Sequence, residues 1–311
     1  MSALIIFFSL LHYHLISSVC GAPLAPALYV FGDSLLDSGN NNILPTVSKA
    51  NFEPYGVDFA KGDTGRFSNG RLVPDFIAEF LGLPYPPPCL SFRISTPVTG
   101  LNYASASCGI LSETGQSLGR CLSLDNQIDL FQRTVESSLP NHFKGPNELM
   151  DHLSKSILLY SLGARKVVMF EIGPIGCTPS MTRTNQHNGK CVEESNQLVS
   201  YFNDNLLGML KNLTSTLPNS IFVRGHVYWL GYDAIMNPSK YGLVDTSNPC
   251  CETWANGTSA CIPNLKPCPN PDQHFFFDGY HLTESVYSLL ASHCIGDGSV
   301  CSPTLKELVT M

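Results

Sequence analysis

The sequence predicts a single α/β domain built around a parallel sheet. Three apolar runs, residues 27–31, 166–172 and 221–223, have the length and the β-branched and aromatic content of buried strands. Between these runs apolar residues recur at helical spacing, and strands that alternate with helices are typical of a parallel sheet. The chain has 311 residues, 43% of them hydrophobic, which is enough for one sizeable core. No internal repeat or linker divides it.

The first predicted strand, residues 27–31, ends at Gly32, Asp33 and Ser34. This tripeptide places a small hydroxyl group at the carboxyl end of a strand, where open α/β sheets bind their ligands. Ser34 is therefore a candidate nucleophile, because such a serine needs exposure and nearby backbone N–H donors. The alternative is a simple turn, since all three residue types favour turns.

Four segments are predicted as helices from the spacing of their apolar residues. They cover residues 73–81, 124–135, 148–162 and 198–213. Pro74 falls in the first turn of the first helix, where its missing N–H costs nothing. In the third segment Leu149, Leu153 and Ile157 follow a four-residue step, and Gly163 is predicted to end the helix as its C-cap.

A second candidate catalytic segment lies near the carboxyl end of the chain. Asp278 and His281 are three residues apart, so one turn can bring the carboxylate to one ring nitrogen while the other nitrogen points outward. Thr283 is a predicted N-cap for a helix that continues through Leu290. The alternative is a surface turn with an aspartate cap and an incidental histidine.

Charge and composition exclude some partners. The formal net charge is −7 with only 18 Lys and Arg residues, and no basic run occurs, so nucleic acid is not an expected partner. No cofactor is predicted.

Residues 1–21 are predicted to be a secretory signal peptide, followed by one domain over residues 22–311. Residues 3–11 form an apolar core, and small residues precede Ala22, as a cleavage site requires. No Lys or Arg stands ahead of the apolar core, which departs from the usual pattern. His12 and His14 interrupt the apolar run too early for a membrane span, so the expected location is extracellular.

Cysteine usage agrees with an oxidising compartment. Of 12 cysteines, Cys20 would leave with the signal peptide, and the odd remainder leaves at least one thiol free or paired between chains. An alternative is a zinc site formed with His274 by four cysteines, Cys250, Cys251, Cys261 and Cys268. Their spacing lacks a Cys-x-x-Cys pair, so disulfides are favoured and no metal is predicted. Asn212 and Asn256 begin glycosylation sequons, although sequons also occur by chance.

Several blocks, taken in order, carry a resemblance to a known family. They are residues 31–41, 54–59, 64–71, 75–78, 102–110, 162–166, 172–177 and 277–281. Together they resemble the plant GDSL-motif esterase/lipases, members of the SGNH hydrolase superfamily. The resemblance runs from about residue 27 to about residue 290, and so many long motifs in one order make it specific.

The resemblance implies a three-layer α/β/α, flavodoxin-like fold with a parallel sheet and a hydrolase acting on small-molecule acyl esters or lipid esters. It implies that Ser34 is the nucleophile, that His281 takes and returns its proton, and that Asp278 orients His281. The oxyanion would be met by the backbone N–H of Ser34 and by a backbone N–H of the 102–110 block, which we place near Gly109.

One departure from the family pattern has physical consequences. The Gly-x-Asn-Asp segment that ends a central strand in the family, and supplies an oxyanion-binding Asn, does not occur between Asn102 and Arg165. Residues 153–157 resemble the entry into that strand, and residues 158–163 resemble the end of the helix that follows it. One central strand and one helix, roughly 30 residues or more, are therefore expected to be missing.

Three hypotheses follow from this departure. The intact triad residues favour an active secreted ester hydrolase. The missing block favours either a non-catalytic member that keeps the fold and binds esters, or a variant that does not fold stably.

Overall fold

The computed structural model describes residues 21–92, 96–159 and 165–311. The predicted signal peptide, apart from Gly21, and the predicted helix cap at Gly163 lie outside these residues. Within them, no helix is long and apolar enough to cross a membrane.

A four-stranded parallel sheet forms the centre of the fold. Its strands are β1 (Leu28–Val30), β2 (Ile157–Leu159), β3 (Lys166–Phe170) and β4 (Ile221–Gly225), in the order β1-β2-β3-β4. All three pairings are parallel, which confirms the predicted α/β fold class. The three runs predicted as strands supply β1, β3 and β4.

Helices precede, separate and follow these strands. They are α1 (Val73–Leu81), α2 (Leu124–Arg133), α3 (Pro146–Lys155), α4 (Pro179–Thr184), α5 (Glu193–Thr216), α6 (Val227–Met236), α7 (Glu284–Ile295) and α8 (Leu305–Leu308). A separate pair of parallel strands, β5 (Asp245–Pro249) and β6 (His274–Phe276), lies before α7. Short 3₁₀ or π turns occur at Asn40–Asn42, Cys89–Ser91, Gln116–Leu118, Thr134–Ser138, Leu139–His142, Ile175–Cys177, Pro238–Tyr241 and Pro271–Gln273.

The sheet is covered by helices on both faces, which gives three layers. On one face Ile157, Val168 and Val223 pack with apolar residues of α1, α7 and α8. On the other face Tyr29 and Leu158 pack with residues of α2 and α3. Because successive residues of a strand point to opposite faces, one short strand supplies both cores.

The junction between residues 148 and 162 differs from the helical pattern of its sequence. Leu149 and Leu153 are buried on α3, but the helix ends at Lys155 and Ile157 begins β2. Ile157 pairs with Leu28 on one side and Lys166 on the other. The backbone N–H and C=O groups of β1 and β3 need hydrogen-bond partners at the centre of the sheet. Residues 157–159 can provide these partners because their apolar side chains can be buried there.

The connection from β2 to β3 is unusually short. It comprises six residues, 160–165, of which only Arg165 is described. Neighbouring parallel strands are usually joined by a dozen or more residues that include a helix. This connection has no room for such a helix, in agreement with the expected loss of one.

Helix α5 has an exposed apolar flank. The exposed fractions are 75% for Leu198, 36% for Phe202 and 44% for Met209. At 100° per residue these side chains project from the flank opposite Leu207 and Lys211, which border β4. A crossover helix from β2 to β3 would pack on the same sheet face as α5, beside this flank.

Five disulfides join ten of the cysteines in the described residues. The pairs are Cys108–Cys121, Cys177–Cys191, Cys250–Cys268, Cys251–Cys261 and Cys294–Cys301. Cys89 is the one free cysteine among these residues, so the expectation of an unpaired thiol is confirmed. The four cysteines of the alternative zinc site pair with one another.

Candidate active site

Ser34 lies on a tight turn immediately after β1. The Asp33 carbonyl accepts the N–H groups of Leu36 and Asp37, and its carboxylate accepts the N–H of Leu35 at 2.9 Å. Gly32 has a φ of +148°, a conformation that side chains rarely adopt. The Ser34 N–H itself has no acceptor among the described residues, so it is available to a ligand.

Asp278 and His281 share one turn after β6. One carboxylate oxygen of Asp278 accepts the backbone N–H groups of Tyr280 and His281, each at 2.8 Å, which fixes the turn. The other, Oδ2, lies 2.7 Å from His281 Nδ1, and His281 Nε2 lies 2.8 Å from Ser34 Oγ. With the ring proton on Nδ1, the imidazole donates to Asp278 and accepts the Ser34 hydroxyl proton. The structure thus brings together all three predicted triad residues.

The Asp278 carboxylate is buried with no exposed surface. Burial favours its neutral form, but the positive charge and hydrogen bond of His281 and the hydrogen bonds from Tyr55 and Tyr280 hold its pKa below the usual value. Asp278 is therefore ionised at neutral pH and can stabilise a protonated His281.

Tyr55 is a site residue that the sequence analysis did not identify. Its hydroxyl donates to Asp278 Oδ2 at 2.6 Å and accepts the N–H of Cys261 at 3.1 Å. Burial, together with the charge of Asp278, raises the pKa of Tyr55, so the hydroxyl stays protonated. Phe67 packs against the His281 ring with a centroid distance of 4.8 Å. The only sequence signal for Tyr55 was its place in residues 54–59, one of the blocks that resemble the family. No neighbouring residue in the sequence indicated a contact with Asp278.

Gln127 of α2 supports the turn that carries Ser34. Its side chain accepts the N–H of Gly32 and donates to the carbonyl of Gly32, both at 2.9 Å. The spacing of apolar residues predicted helix α2. It did not predict this contact of Gln127, because Gln127 is polar and is not part of that apolar pattern.

The loop expected to supply a second oxyanion donor lies beside β1. Ser105 donates its N–H to the Gly32 carbonyl at 3.0 Å, and the N–H of Ala106 is held by the Asp37 carboxylate at 3.1 Å. The Gly109 carbonyl accepts the N–H of Leu124 at the start of α2, and among the described residues the Gly109 N–H has no acceptor. The amide of Gly109 is thus free for a ligand, whereas that of Ala106 is occupied.

Asp37 ties the Ser34 turn to this loop. Its buried carboxylate accepts the N–H groups of Gly39 and Asn40, both at 2.7 Å, of Asn41 at 3.4 Å and of Ala106. Burial raises the pKa of Asp37 to about 6, despite these four donors.

Thr283 occupies the predicted N-cap position of α7, but its side chain does not cap the helix. The hydroxyl donates to the carbonyl of His274 at 2.6 Å instead. The predicted N-cap position of Thr283 is therefore confirmed, while its hydroxyl bonds to β6 rather than to the first turn of α7.

No group of three or more His, Cys, Asp or Glu side chains in the described parts of the chain could hold a metal ion. The sequons differ in setting. Asn212 is exposed on α5, and Asn256 is exposed in a loop where its carbonyl accepts from Arg183 at 2.8 Å.

A layered α/β sheet that carries serine, histidine and aspartate in hydrogen-bond sequence has the geometry used by serine hydrolases. The sequence model of the GDSL-like lipase/acylhydrolase family matches residues 28–144 and 127–294. From Arabidopsis thaliana, GDSL esterase/lipase 7 is 39% identical over 86% of this chain and 87% of its own length. GDSL esterase/lipase At1g71691 is 36% identical over 94% and 87%. The chain belongs to the GDSL-like lipase/acylhydrolase family, as its motifs indicate.

The alignments also bear on the missing segment. The match to GDSL esterase/lipase 7 extends over 318 positions, but 86% of 311 residues is only about 267 residues. About 50 aligned positions therefore face no residue of this chain. That number is large enough for the unit of roughly 30 residues or more that is expected to be missing, although Ile157–Leu159 fills the place between β1 and β3 as strand β2.

Proposed function

We propose that this chain is a carboxylic-ester hydrolase in which Ser34 is the nucleophile, His281 the general base and acid, and Asp278 the group that orients His281. The proposal rests mainly on the 2.8 Å contact between Ser34 Oγ and His281 Nε2, combined with the 2.7 Å contact between His281 Nδ1 and Asp278. The first contact joins residues 247 positions apart and carries the proton from Ser34 to His281, while the second holds the imidazole in the tautomer that can accept this proton.

In the proposed reaction, Ser34 Oγ attacks the ester carbonyl while His281 Nε2 takes its proton. The tetrahedral intermediate collapses, and the leaving alcohol receives the proton from His281, which leaves an acyl group on Ser34. Water then repeats the sequence with His281 as base and releases the acid. The ionised Asp278 stabilises the imidazolium that forms in both halves.

The oxyanion would be held by backbone donors alone. The free N–H of Ser34 is one donor, and we assign the second to Gly109, whose N–H is also without an acceptor in the described chain. The Asn side chain of the family pattern is missing from the sequence. Loss of one such donor costs about 3–4 kcal/mol in the transition state, so we expect turnover to be low for the family.

The names of the relatives support acyl or lipid esters as the substrate class. We further propose that the protein is secreted, with a mature chain that begins near Ala22. Five disulfides support an oxidising compartment, and the exposed Asn212 and Asn256 would then be glycosylation sites.

A second candidate function is favoured by the missing segment. A protein that keeps the fold but lacks an oxyanion donor could bind a neutral ester almost normally, because the ground-state carbonyl carries little charge. In that case Ser34→Ala would bind the ester as well as the wild-type protein does, and neither the wild-type protein nor the variant would hydrolyse it.

The test is hydrolysis of a short-acyl nitrophenyl ester by purified protein, with Ser34→Ala beside it. Ser239→Ala, at an exposed serine, is the matched control. We expect Ser34→Ala and His281→Ala to lower turnover by orders of magnitude while the melting temperature and the control's activity stay the same. Equal turnover by Ser34→Ala would rule out Ser34 as the nucleophile.

A further inference from the structure

A cavity of about 380 Å³ lies between α5, β4 and the segment after α7. It is separate from the triad: none of Ser34, Asp278 and His281 lines it. Its volume falls within the range of small-ligand pockets. The hydrolysis mechanism uses none of its residues.

Three basic side chains meet at this cavity. They are Lys211 of α5, Arg224 of β4 and His226 just after β4. Arg224 contacts Glu171 at 3.1 Å, and His226 Nδ1 contacts the same carboxylate at 2.7 Å. Glu171 has 1% of its side chain exposed, so it acts as a buried anchor that orients both groups.

The charge of the cavity is positive even with His226 neutral. Glu171 offsets one of the two permanent positive charges, and Lys211 makes no ion pair with any described residue. Asp297, which precedes Gly298 of the lining, is engaged by His293 and Ser299. In a chain with a net charge of −7, the unpaired Lys211 next to Arg224 and His226 favours an anion.

The remainder of the lining is largely apolar. Leu210 and Val300 are buried, and Leu207 and Phe222 are half-buried. Such a surface would remain in contact with water if only a small inorganic anion were bound. Apolar walls next to a basic cluster fit a ligand that has both an anionic head and an alkyl chain.

We propose that this cavity binds an anionic amphiphile, with its carboxylate or phosphate head at Lys211, Arg224 and His226 and its alkyl chain along Leu207, Leu210 and Phe222. Bidentate pairing suits a guanidinium group to either head. The proposal does not depend on the hydrolytic function.

The test measures binding of decanoate, below its micelle concentration, by titration calorimetry with the full chain and with Lys211→Glu. Lys211 is exposed and has no described partner, so its replacement should leave the fold intact. Lys266→Glu is the matched control, because Lys266 is also exposed and unpaired within the described residues and the change in net charge is equal. We expect decanoate binding to weaken by about tenfold or more in Lys211→Glu and to be unchanged in Lys266→Glu.

Ligand variants test each half of the site. Butanoate lacks the chain and decanol lacks the charge, so each should bind at least tenfold more weakly than decanoate. Comparison with decyl phosphate shows whether a carboxylate or a phosphate head is preferred. The proposal is overturned if decanoate binds equally to the full chain and to Lys211→Glu, or if decanol binds as tightly as decanoate. Equal affinity in Lys211→Glu would mean that decanoate binds elsewhere on the protein, for instance beside Ser34.

Discussion

Tyr55 shows how much of the candidate site depends on a single buried contact. It is the only side chain outside the triad in the described chain that donates to the Asp278 carboxylate, and it also satisfies the N–H of Cys261. The Tyr55 hydroxyl therefore joins the Asp278 turn to the disulfide-bonded loop that contains Cys261. A tyrosine in this place is therefore expected to position Asp278 within the proposed triad.

We expect Tyr55→Phe to lower kcat about tenfold and to change KM by less than about twofold. The reason is that one oxygen of Asp278 loses a donor worth about 1.5–3 kcal/mol, while the ester-binding surface is unchanged. Steady-state kinetics on a nitrophenyl ester would measure both parameters. Tyr201→Phe, at a tyrosine that is 74% exposed, is the control. A rise in KM alone would assign Tyr55 to substrate binding instead.

Asp37 predicts a pH dependence of stability. Its pKa is about 6 in the folded protein and about 3.9 in an unfolded chain, so between these values the folded state holds a proton that the unfolded state has released. The free energy of unfolding should therefore fall as pH rises from about 4 to 6, by up to roughly 3 kcal/mol.

Urea unfolding of the wild-type chain and of Asp37→Asn, at several pH values, checks this prediction. The difference between the two curves isolates Asp37, because the other carboxyl groups are common to both. A difference that is flat, or that increases with pH, would mean that the four N–H donors outweigh burial at this carboxylate.

At the scale of residues, the sequence predicted what is local or resembles a motif. Asp278 and His281 share one turn, and Ser34 stands at a strand end, so their types and places were readable. The contacts of Tyr55 with Asp278 and of Gln127 with Gly32 were not, because they join residues 223 and 95 positions apart. Such pairs form only when the sheet brings distant loops together.

At the scale of elements, α1 and β2 mark the limits of pattern reading. Helix α1 spans Val73–Leu81, as predicted, since Pro74 lies in its first turn and Gly82 ends it with a φ of +70°. Strand β2 was hidden because Ile157 continues a helical spacing begun at Leu149. The conformation of β2 is set by its hydrogen bonds with β1 and β3. Pairing with these strands leaves no periodic pattern in the sequence of β2 itself.

The short β2–β3 connection gives a prediction at this scale. Insertion of the missing segment of a relative at the junction between Ile157 and Leu158 should supply the oxyanion-binding Asn and a helix beside the exposed flank of α5. We expect turnover to rise roughly 100- to 1,000-fold, because a third donor then meets the charged transition state. Thermal stability should also rise as Leu198 and Phe202 become covered.

Two measurements on the restored and original proteins, turnover of one ester and the melting temperature, decide the matter. A restored protein whose inserted Asn is changed to Ala is the control, since it keeps the helix without the donor. It should match the restored protein in melting temperature and the original protein in turnover. If restoration changed neither quantity, the missing segment would be no functional defect.

At the scale of the whole molecule, the disulfides make the proposed route through the cell testable. The chain should appear in the medium with an amino terminus near Ala22. Its thiol content in denaturant should be one per molecule, from Cys89, because the other ten cysteines of the described residues are paired. Terminal sequencing and thiol titration measure these two quantities. A chain that retains Met1 and reacts at twelve thiols would contradict both the secretion and the disulfide set.

The short β2–β3 connection also bears on the order in which the molecule folds. Ile157 and Lys166, paired at the centre of the sheet, are only nine residues apart, whereas a strand-and-helix unit of roughly 30 residues between them would make the separation roughly 40. Closing the shorter loop costs about 1.3 kcal/mol less in conformational free energy. The central ladder should therefore form early, and mutations in it should slow folding about as much as they destabilise the protein. Ser34 and His281 must instead close a span of 247 residues. With the short β2–β3 connection, strands at the centre of the sheet are close in sequence and should pair early. Ser34 and His281 should be among the last residues to meet.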